Sequence, residues 1–253
     1  MKRSKGRDRT RWPLVAPAML CVLLAWSPLP VMAAEQAPAA DVAPNRRDQR
    51  IMSTRTFLNA HPDLKHRNEG WEAYQAGDYP TALENFRKAA RYADKPSQAM
   101  LAEMSWLGHG VPVDRAMAYA WADLAAERGY VQFIRLREQY WRQLDAAEQE
   151  RAVTDGRVLL DEYADAVARP RMAQFMKRAK QRARRTANSV SQPKMVMVPG
   201  PGGSTISIQG HRFYEPKFWD PVKYQAWQDA MWMDPPKGQV DVGDVQQVDG
   251  DKD

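Results

Sequence analysis

The sequence predicts a mainly α-helical protein: a short α-solenoid of stacked helix pairs with a helical C-terminal cap, then a small β-hairpin and an aromatic helix. Three observations predict this fold. Apolar residues recur at helical spacing on both sides of a turn at 108–112, a similar pattern lies 36 residues earlier, and aromatic residues gather near the C-terminus. One helix pair cannot bury its apolar face alone, so we expect the pairs to stack.

The stretch from Ser97 to Gly129 is the clearest helix pair. Gly108, Gly110 and Pro112 interrupt the helical pattern, so two helices are predicted to fold back on each other. Asp114 follows this turn and is expected to cap the second helix, because its carboxylate accepts hydrogen bonds from free amides of the first turn. The second helix carries a stripe of small residues that would let another backbone approach: Ala118, Ala122, Ala125 and Gly129.

A larger set of positions in this stretch carries a further signal: Leu101, Gly108, Gly110, Val111, Asp114, Ala118, Trp121, Ala125, Ala126 and Gly129. In order and spacing these residues resemble the Sel-one-like repeat, a relative of the tetratricopeptide repeat with a glycine-containing turn. The chain has Ala102 and Ser105 where that family usually has Gly and Tyr. The resemblance implies an α-solenoid that binds or assembles other proteins, and it does not imply a catalyst.

A reduced copy of the pair spans Gly70 to Asp94. Asp78 and Ala82 precede Asp114 and Ala118 by 36 residues, a period typical of tetratricopeptide-like repeats. A tight turn at 95–96 is predicted to join the two pairs. The whole repeat domain is predicted to cover residues 51–168.

Two further predicted helices supply the C-terminal cap, because stacked repeats generally need more than two units. The first carries apolar residues on one side, namely Phe133, Leu136, Tyr140 and Leu144. Asp145 to Glu148 resembles a capping box and starts the second helix, in which Gly156 should cost about 1 kcal/mol relative to Ala. This helix is predicted to end at Arg169-Pro170, and its apolar residues are Val153, Leu160, Tyr163 and Val167.

Residues 1–33 have the pattern of a cleaved secretory signal peptide: a basic start, an apolar run from Pro13 to Trp26, and then Val31-Met32-Ala33, with small residues at the positions that a signal peptidase reads. Cleavage would place the protein in the periplasm or secrete it, and would leave no cysteine, since Cys21 lies within the apolar run. An N-terminal membrane anchor is the alternative, although this run is shorter than the roughly 20 residues of a membrane span. Residues 34–50, rich in Ala and Pro, are predicted to be a disordered linker.

The net charge of +6 belongs mostly to residues 1–33, which carry six basic residues and one acidic residue. The rest of the chain is nearly neutral, so nucleic acid is not predicted as a partner.

Residues 169–190 are predicted to form a basic helix. Met172, Phe175, Met176 and Ala179 form a narrow apolar stripe on it. The favoured interpretation is a helix that docks on the cap by this stripe and leaves its charges in solvent. An interfacial helix that meets an anionic envelope surface stays open.

Residues 191–233 are predicted to form a small aromatic-rich module. Its segments 195–198 and 204–208 flank a glycine-rich turn and predict a β-hairpin, and Asp220-Pro221 predicts a helix start. The aromatic residues serve as the core of this module, or they anchor a partner. Residues 234–253 are predicted to be a disordered acidic tail.

The function predicted from these observations is an exported scaffold or adaptor for protein–protein interaction in the cell envelope. The alternatives are an envelope-surface binding protein that uses the basic helix, and a cell-wall-directed hydrolase. We expect no cofactor, no metal and no enzymatic activity, because no carboxylate pair stands out and His61, His66, His109 and His211 lie in dissimilar contexts. Of these, His61 and His66 are interpreted as ordinary surface residues. Candidate partner-binding residues are Trp106, Tyr119, Trp121, Trp219, Tyr224 and Trp227.

Overall fold

The computed structural model describes residues 44–186, 195–199 and 204–233, all within the unit Ala40–Asp253. The described chain is mainly helical and contains one antiparallel pair of strands, β1 (Met195–Pro199) and β2 (Thr205–Gln209). The helices are α1 (Arg46–Met52), α2 (Arg55–Leu58), α3 (Pro62–Gln75), α4 (Tyr79–Ala90), α5 (Lys95–Leu107), α6 (Arg115–Ala126), α7 (Val131–Trp141), α8 (Ala146–Tyr163), α9 (Asp165–Thr186), α10 (Gly210–Phe213), α11 (Pro216–Trp219) and α12 (Pro221–Met233). In these ranges, no helix combines the length and apolar character needed to cross a bilayer.

Several predicted segments lie outside the described residues, namely the signal peptide, the linker up to residue 43, the end of the basic helix, the hairpin turn at 200–203 and the acidic tail. The described end of the linker is helical, because α1 begins at Arg46. Asn45 caps α1 by accepting hydrogen bonds from the backbone amides of Arg47 (3.0 Å) and Asp48 (2.9 Å). The prediction of disorder up to residue 50 is therefore wrong for this end of the linker.

Two helix pairs, α3–α4 and α5–α6, form the repeat predicted from the sequence, and α4 packs against α5 so that the pairs stack. The caps are equivalent: Oδ1 of Asp78 accepts a backbone amide at 3.2 Å, and Oδ1 of Asp114 accepts one at 3.0 Å. Ala82 and Ala118, at the same repeat position, are both fully buried. Because α3 starts at Pro62, the first unit begins earlier than the predicted Gly70.

The turn of the second pair contacts the start of α4. Gly110 has a φ of +76°, and a Cβ added there would lie 2.9 Å from the backbone oxygen of Tyr79. Only glycine meets both demands, the left-handed backbone and the close approach. Gly77, in the turn of the first pair, has the same φ of +76° but open space around it.

The predicted turn at 95–96 is wrong, because Lys95 and Pro96 are the first residues of α5. Proline is favoured in the first turn of a helix, because the N–H groups of that turn make no hydrogen bond within the helix and the missing N–H of proline therefore costs nothing. Asp94 caps α5, since its Oδ2 accepts the backbone amide of Ser97 at 3.0 Å. The side chain of Lys95 is buried.

The helical cap forms as predicted, and α7 and α8 pack against α6. Phe133, Tyr140 and Leu144 are buried, and Asp145 and Glu148 form the reciprocal capping box. The packing face of α8 differs from the prediction.

In α8 the predicted apolar residues Val153 and Leu160 are 51% and 44% exposed. The helix instead approaches α6 through small residues: Ala152 is buried, and a Cβ at Gly156 would lie 3.6 Å from that of Ala120. Gly156 therefore belongs to a close helix contact. The predicted end of this helix at 169–170 is also wrong, since α8 ends at Tyr163 and α9 then runs through Pro170.

A second core joins α1 and α2, the buried stripe of α9, and the C-terminal module. Met172, Met176 and Ala179 are buried in it, so the basic helix docks by its stripe, as the favoured interpretation predicts. Its docking partner differs, because the stripe packs with the N-terminal helices and the aromatic module. An interfacial helix would need this stripe exposed to lipid.

His61 is fully buried in this second core, so the interpretation as a surface histidine is wrong. Its Nδ1 lies 2.8 Å from the backbone oxygen of Phe57, and its Nε2 lies 2.7 Å from that of Phe218. Burial lowers the pKa of His61 to about 4, although both carbonyl contacts favour the protonated ring. Because burial is the larger effect, the neutral ring donates to one carbonyl at neutral pH. The residue ties α2 to α11.

Asp63 makes a second link between α3 and the C-terminal module. Its Oδ2 accepts a hydrogen bond from the hydroxyl of Tyr224 at 2.6 Å, and its Oδ1 has no hydrogen-bond partner among the described residues. Burial, with the nearby charge of Asp94, raises the pKa of Asp63 to about 7, while Tyr224 and Arg67 oppose the shift. The adjoining cavity has a volume of about 10 Å³, enough for about one water molecule.

We predict that replacing Asp63 by asparagine removes a pH dependence of stability between pH 6 and 8. Because the pKa of Asp63 is about 7 in the folded protein and about 4 in the unfolded chain, the folded state binds more protons in this window. Stability therefore falls as the pH rises, by about 1.4 kcal/mol from pH 6 to pH 8. Urea unfolding of both proteins measures the difference. An equal slope in the two proteins would contradict this account. His61 makes stability rise with pH in the lower part of this window, because its pKa is about 4 in the folded protein and about 6.5 in the unfolded chain, but both proteins carry His61, so its effect cancels in the comparison.

We predict that Gly110→Ala destabilises the protein more than Gly77→Ala. Both substitutions place alanine at a positive φ, which costs about 1 kcal/mol. At Gly110 the new Cβ also meets the backbone of Tyr79, which adds about 2 kcal/mol. Urea unfolding of the two variants measures this difference in stability. Equal losses of stability would show that the backbone at Gly110 does not closely approach Tyr79.

Candidate functional site

The candidate site is a groove of about 560 Å³ along the first helices of the successive pairs. Helices α3, α5 and α7 supply most of its walls, with one residue from α4 and one from α12. Its lining residues are Arg67, Asn68, Trp71, Phe86, Pro96, Ala99, Met100, Glu103, Gln132, Phe133, Leu136 and Trp232.

The groove follows from the repeat. Asn68 and Trp71 on α3, and Met100 and Glu103 on α5, lie three residues apart, so each pair shares one helix face. Stacking of the helix pairs aligns these faces into one continuous surface. Trp71 keeps 45% of its surface exposed in this wall.

Trp232 closes one end of the groove from outside the repeat. Its ring centroid lies 5.6 Å from that of Phe133, and the guanidinium of Arg67 lies 6.0 Å from its ring. The side-chain amide of Gln132 donates to the backbone oxygen of Trp232 at 3.2 Å. These contacts bring the C-terminal helix α12 to the groove.

The charged residues of the groove differ in their state of pairing. Arg67 is neutralised by Asp94, with 2.8 Å between Nη1 and Oδ1. Glu103 contacts the hydroxyl of Tyr74 at 3.5 Å and has no cationic partner among the described residues. The site therefore presents apolar side chains with one uncompensated carboxylate.

The structure does not bring the predicted partner-binding residues Trp106, Tyr119 and Trp121 together in this groove. Trp106 is half-buried and stacks on Tyr140 with ring centroids 4.2 Å apart. Tyr119 lies 4.7 Å from the ring of Trp141. Trp121 is buried in the repeat core, where only 5% of its surface is exposed.

The predicted module residues Trp219, Tyr224 and Trp227 lie in the second core, with 1%, 2% and 8% of their surfaces exposed. Their rings pack against one another and against α2 and α9, which matches the interpretation as a module core. In this fold they do not present a surface to a partner, and their role in partner binding stays a prediction.

Trp71 and Trp232, which line the groove, were not among the candidate residues identified from the sequence. The available signal was position: Trp71 lies on the first helix of its pair, at the spacing that faces the inner side of a stacked repeat. No local signal identifies Trp232, because its place depends on a contact with Gln132, far away in sequence.

A cluster of buried charges holds α12 and α9 on the repeat. Nε and Nη2 of Arg128 donate to both carboxylate oxygens of Asp165, at 2.6 and 2.8 Å, and its Nη1 lies 3.2 Å from Asp229. Nζ of Lys95 contacts Glu127 at 2.7 Å and Asp165 at 3.1 Å. Burial alone would raise the pKa of Asp165, but the hydrogen bonds and charges of Arg128 and Lys95 hold it below its ordinary value. The charges of the cluster are thus paired with charges of opposite sign, so we interpret the cluster as a structural one that holds α9 and α12 in place.

Tyr74, His109 and Glu103 form a small acid–base cluster beside the groove. The Tyr74 hydroxyl lies 3.1 Å from Nδ1 of His109. Burial and the charge of Glu103 raise the pKa of Tyr74, so this hydroxyl stays protonated. The ring of His109 stacks on Tyr79 at 4.2 Å, which fixes it in the turn. Within the described ranges, no group of three or more His, Cys, Asp and Glu side chains is placed to hold a metal ion.

A scan against family models and a search of curated proteins find no match. Among solved structures, the chain is similar to a protective antigen present in uropathogenic Escherichia coli strains that displays an SLR fold. The sequences are 23% identical, the match covers 52% of this chain and 26% of that chain, and the TM-score is 0.38. The chain thus matches about a quarter of that protein, and a similarity at this level carries no argument about function.

Proposed function

We propose that this protein is an exported adaptor that binds a segment of a partner protein in the groove along α3, α5 and α7. The observation that carries the proposal is the groove itself: an open, mainly apolar surface of about 560 Å³ with a half-exposed Trp71 in its wall. Exposed aromatic and Met side chains at the centre of a concave surface are typical of protein-binding sites.

The charges of the groove indicate the chemistry of the partner. Because Arg67 is already paired with Asp94, the free carboxylate is that of Glu103. A segment with bulky apolar side chains and one Lys or Arg would fill the groove and neutralise Glu103. Asn68 adds a side-chain amide at the wall, suited to hydrogen bonds with a peptide backbone.

The compartment of this adaptor is part of the proposal. The basic start, apolar run and small residues within 1–33 support export into the periplasm or beyond. In that setting the partner is an envelope or secreted protein. The non-catalytic role is likewise proposed, since Tyr74, His109 and Glu103 are fixed by stacking and hydrogen bonds and lack an activated nucleophile in their described surroundings.

We predict that a photo-crosslinking residue placed at Met100, inside the groove, captures a partner protein in intact cells. The same residue placed at Glu150, exposed on α8 outside the groove, serves as the matched control and should capture nothing comparable. Loss of a central aromatic anchor costs about 2 kcal/mol, so Trp71→Ala should lower the affinity roughly thirtyfold and remove the product from the Met100 position.

Far-UV circular dichroism checks that the Trp71→Ala variant remains helical. Equal capture from positions 100 and 150, or full capture by a folded Trp71→Ala variant, would contradict the groove as the binding site. Mass spectrometry of the captured protein would show whether the bound segment carries the expected basic residue.

A further inference from the structure

A second concave site lies where α1 meets strand β2 and α10. It is a pocket of about 330 Å³, distinct in all its residues from the groove. Its lining residues are Arg47, Arg50, Ile51, Ser207, Ile208, Gln209 and Arg212.

Three arginines and no carboxylate line this pocket. Ion pairs with a carboxylate are found for none of Arg47, Arg50 and Arg212 among the described residues. The nearby acids are already engaged, since Nζ of Lys217 lies 2.8 Å from Asp48 and 3.5 Å from Glu215. The pocket therefore collects positive charge that nothing in the described chain neutralises.

The architecture fixes two sides of the pocket. Arg47 and Arg50 lie three residues apart on α1, so they share one face of that helix. Nε of Arg212 donates to Oε1 of Gln209 at 3.3 Å, which orients the guanidinium, and its terminal nitrogens have no hydrogen-bond partner among the described residues.

The floor of the pocket is apolar and its rim is polar. Ile51 and Ile208 are 4% and 8% exposed and belong to the second core, so the base of the site is rigid. Ser207 and Gln209 alternate with Ile208 along β2 and lie on the solvent side of the strand. A hydroxyl and an amide thus stand beside the arginines.

We propose that this pocket binds a phosphate group, either of a soluble phosphorylated molecule or of a lipid headgroup. A planar guanidinium group can donate two parallel hydrogen bonds to the oxygens of one phosphate. The ammonium group of lysine lacks this bidentate geometry, so arginine is the better suited of the two for this recognition. A negatively charged phosphate group would relieve the repulsion between the three like charges that line one small pocket. The Ser207 hydroxyl offers one further donor.

The site differs from the envelope-binding helix considered from the sequence. That interpretation placed the basic surface on residues 169–190, whereas the pocket is built from α1, β2 and α10. It is also independent of the groove, so a partner protein and a phosphate ligand could be bound at the same time.

The test is binding of inorganic pyrophosphate, measured by isothermal titration calorimetry on the protein as the cell produces it. We expect Arg50→Gln to weaken binding about tenfold or more, because one charge-assisted contact is lost, and Arg47→Gln and Arg212→Gln to do the same. The matched control is Arg135→Gln, which removes an exposed arginine of α7 outside the pocket and should leave the affinity unchanged.

A second arm distinguishes the two sources of phosphate. Co-sedimentation compares vesicles of phosphatidylglycerol with vesicles of phosphatidylcholine. If the protein binds pyrophosphate and Arg50→Gln loses this binding, the ligand is a soluble phosphate. If the protein binds only the anionic vesicles and Arg50→Gln loses this binding, the ligand is a lipid headgroup. Both results support the site. Absence of binding in both arms, or equal binding by Arg50→Gln and Arg135→Gln, would overturn it. Circular dichroism confirms that each variant is folded.

Discussion

The contact of Arg128 with Asp165 and Asp229 is the interaction on which the rest of the structure depends. This one guanidinium joins the end of the second repeat to the start of α9 and to α12. It also donates to the backbone oxygen of Ala93 at 2.9 Å, in the turn between the two repeat pairs. Buried charges of this kind are costly when one partner is lost, so the four segments are held together as a set.

The position of the groove follows from that contact. Two helix pairs and a cap form a curved surface, but Trp232 comes from a helix more than a hundred positions beyond α5 in the sequence. Because Asp229 is bound to Arg128, α12 lies where Trp232 meets Phe133 and Arg67. The second core also holds this part of the chain, because His61 binds α11 and Asp63 binds α12 within it. The groove is therefore formed jointly by the repeat and the C-terminal module.

The features predicted well from the sequence are those that local physics decides. Asp78 and Asp114 cap their helices, the 36-residue period places Ala82 and Ala118 in equivalent buried positions, and β1 pairs with β2 as predicted. Proline and capping residues act over a single turn of chain, so a pattern in the sequence is enough.

The features that were missed depend on contacts between distant segments. His61 resembled a surface histidine because its partner, the carbonyl of Phe218, lies 157 positions away. The face of α8 was misjudged because its packing uses Ala152 and Gly156, which hydrophobic periodicity does not mark. The pairing of Arg128 with Asp229 spans 101 positions, and a charged residue gives no sign of its burial in the sequence alone.

Hydrogen–deuterium exchange of helix α12 tests most directly whether the Arg128 contact holds it in place. The comparison is between the unaltered protein, Asp229→Ala, and the matched variant Asp123→Ala, which removes an exposed ion pair with Arg137. The account predicts faster exchange across 221–233 in Asp229→Ala, while α4 exchanges at its original rate and Asp123→Ala behaves as the unaltered protein does. Unchanged protection of α12 in Asp229→Ala would contradict it.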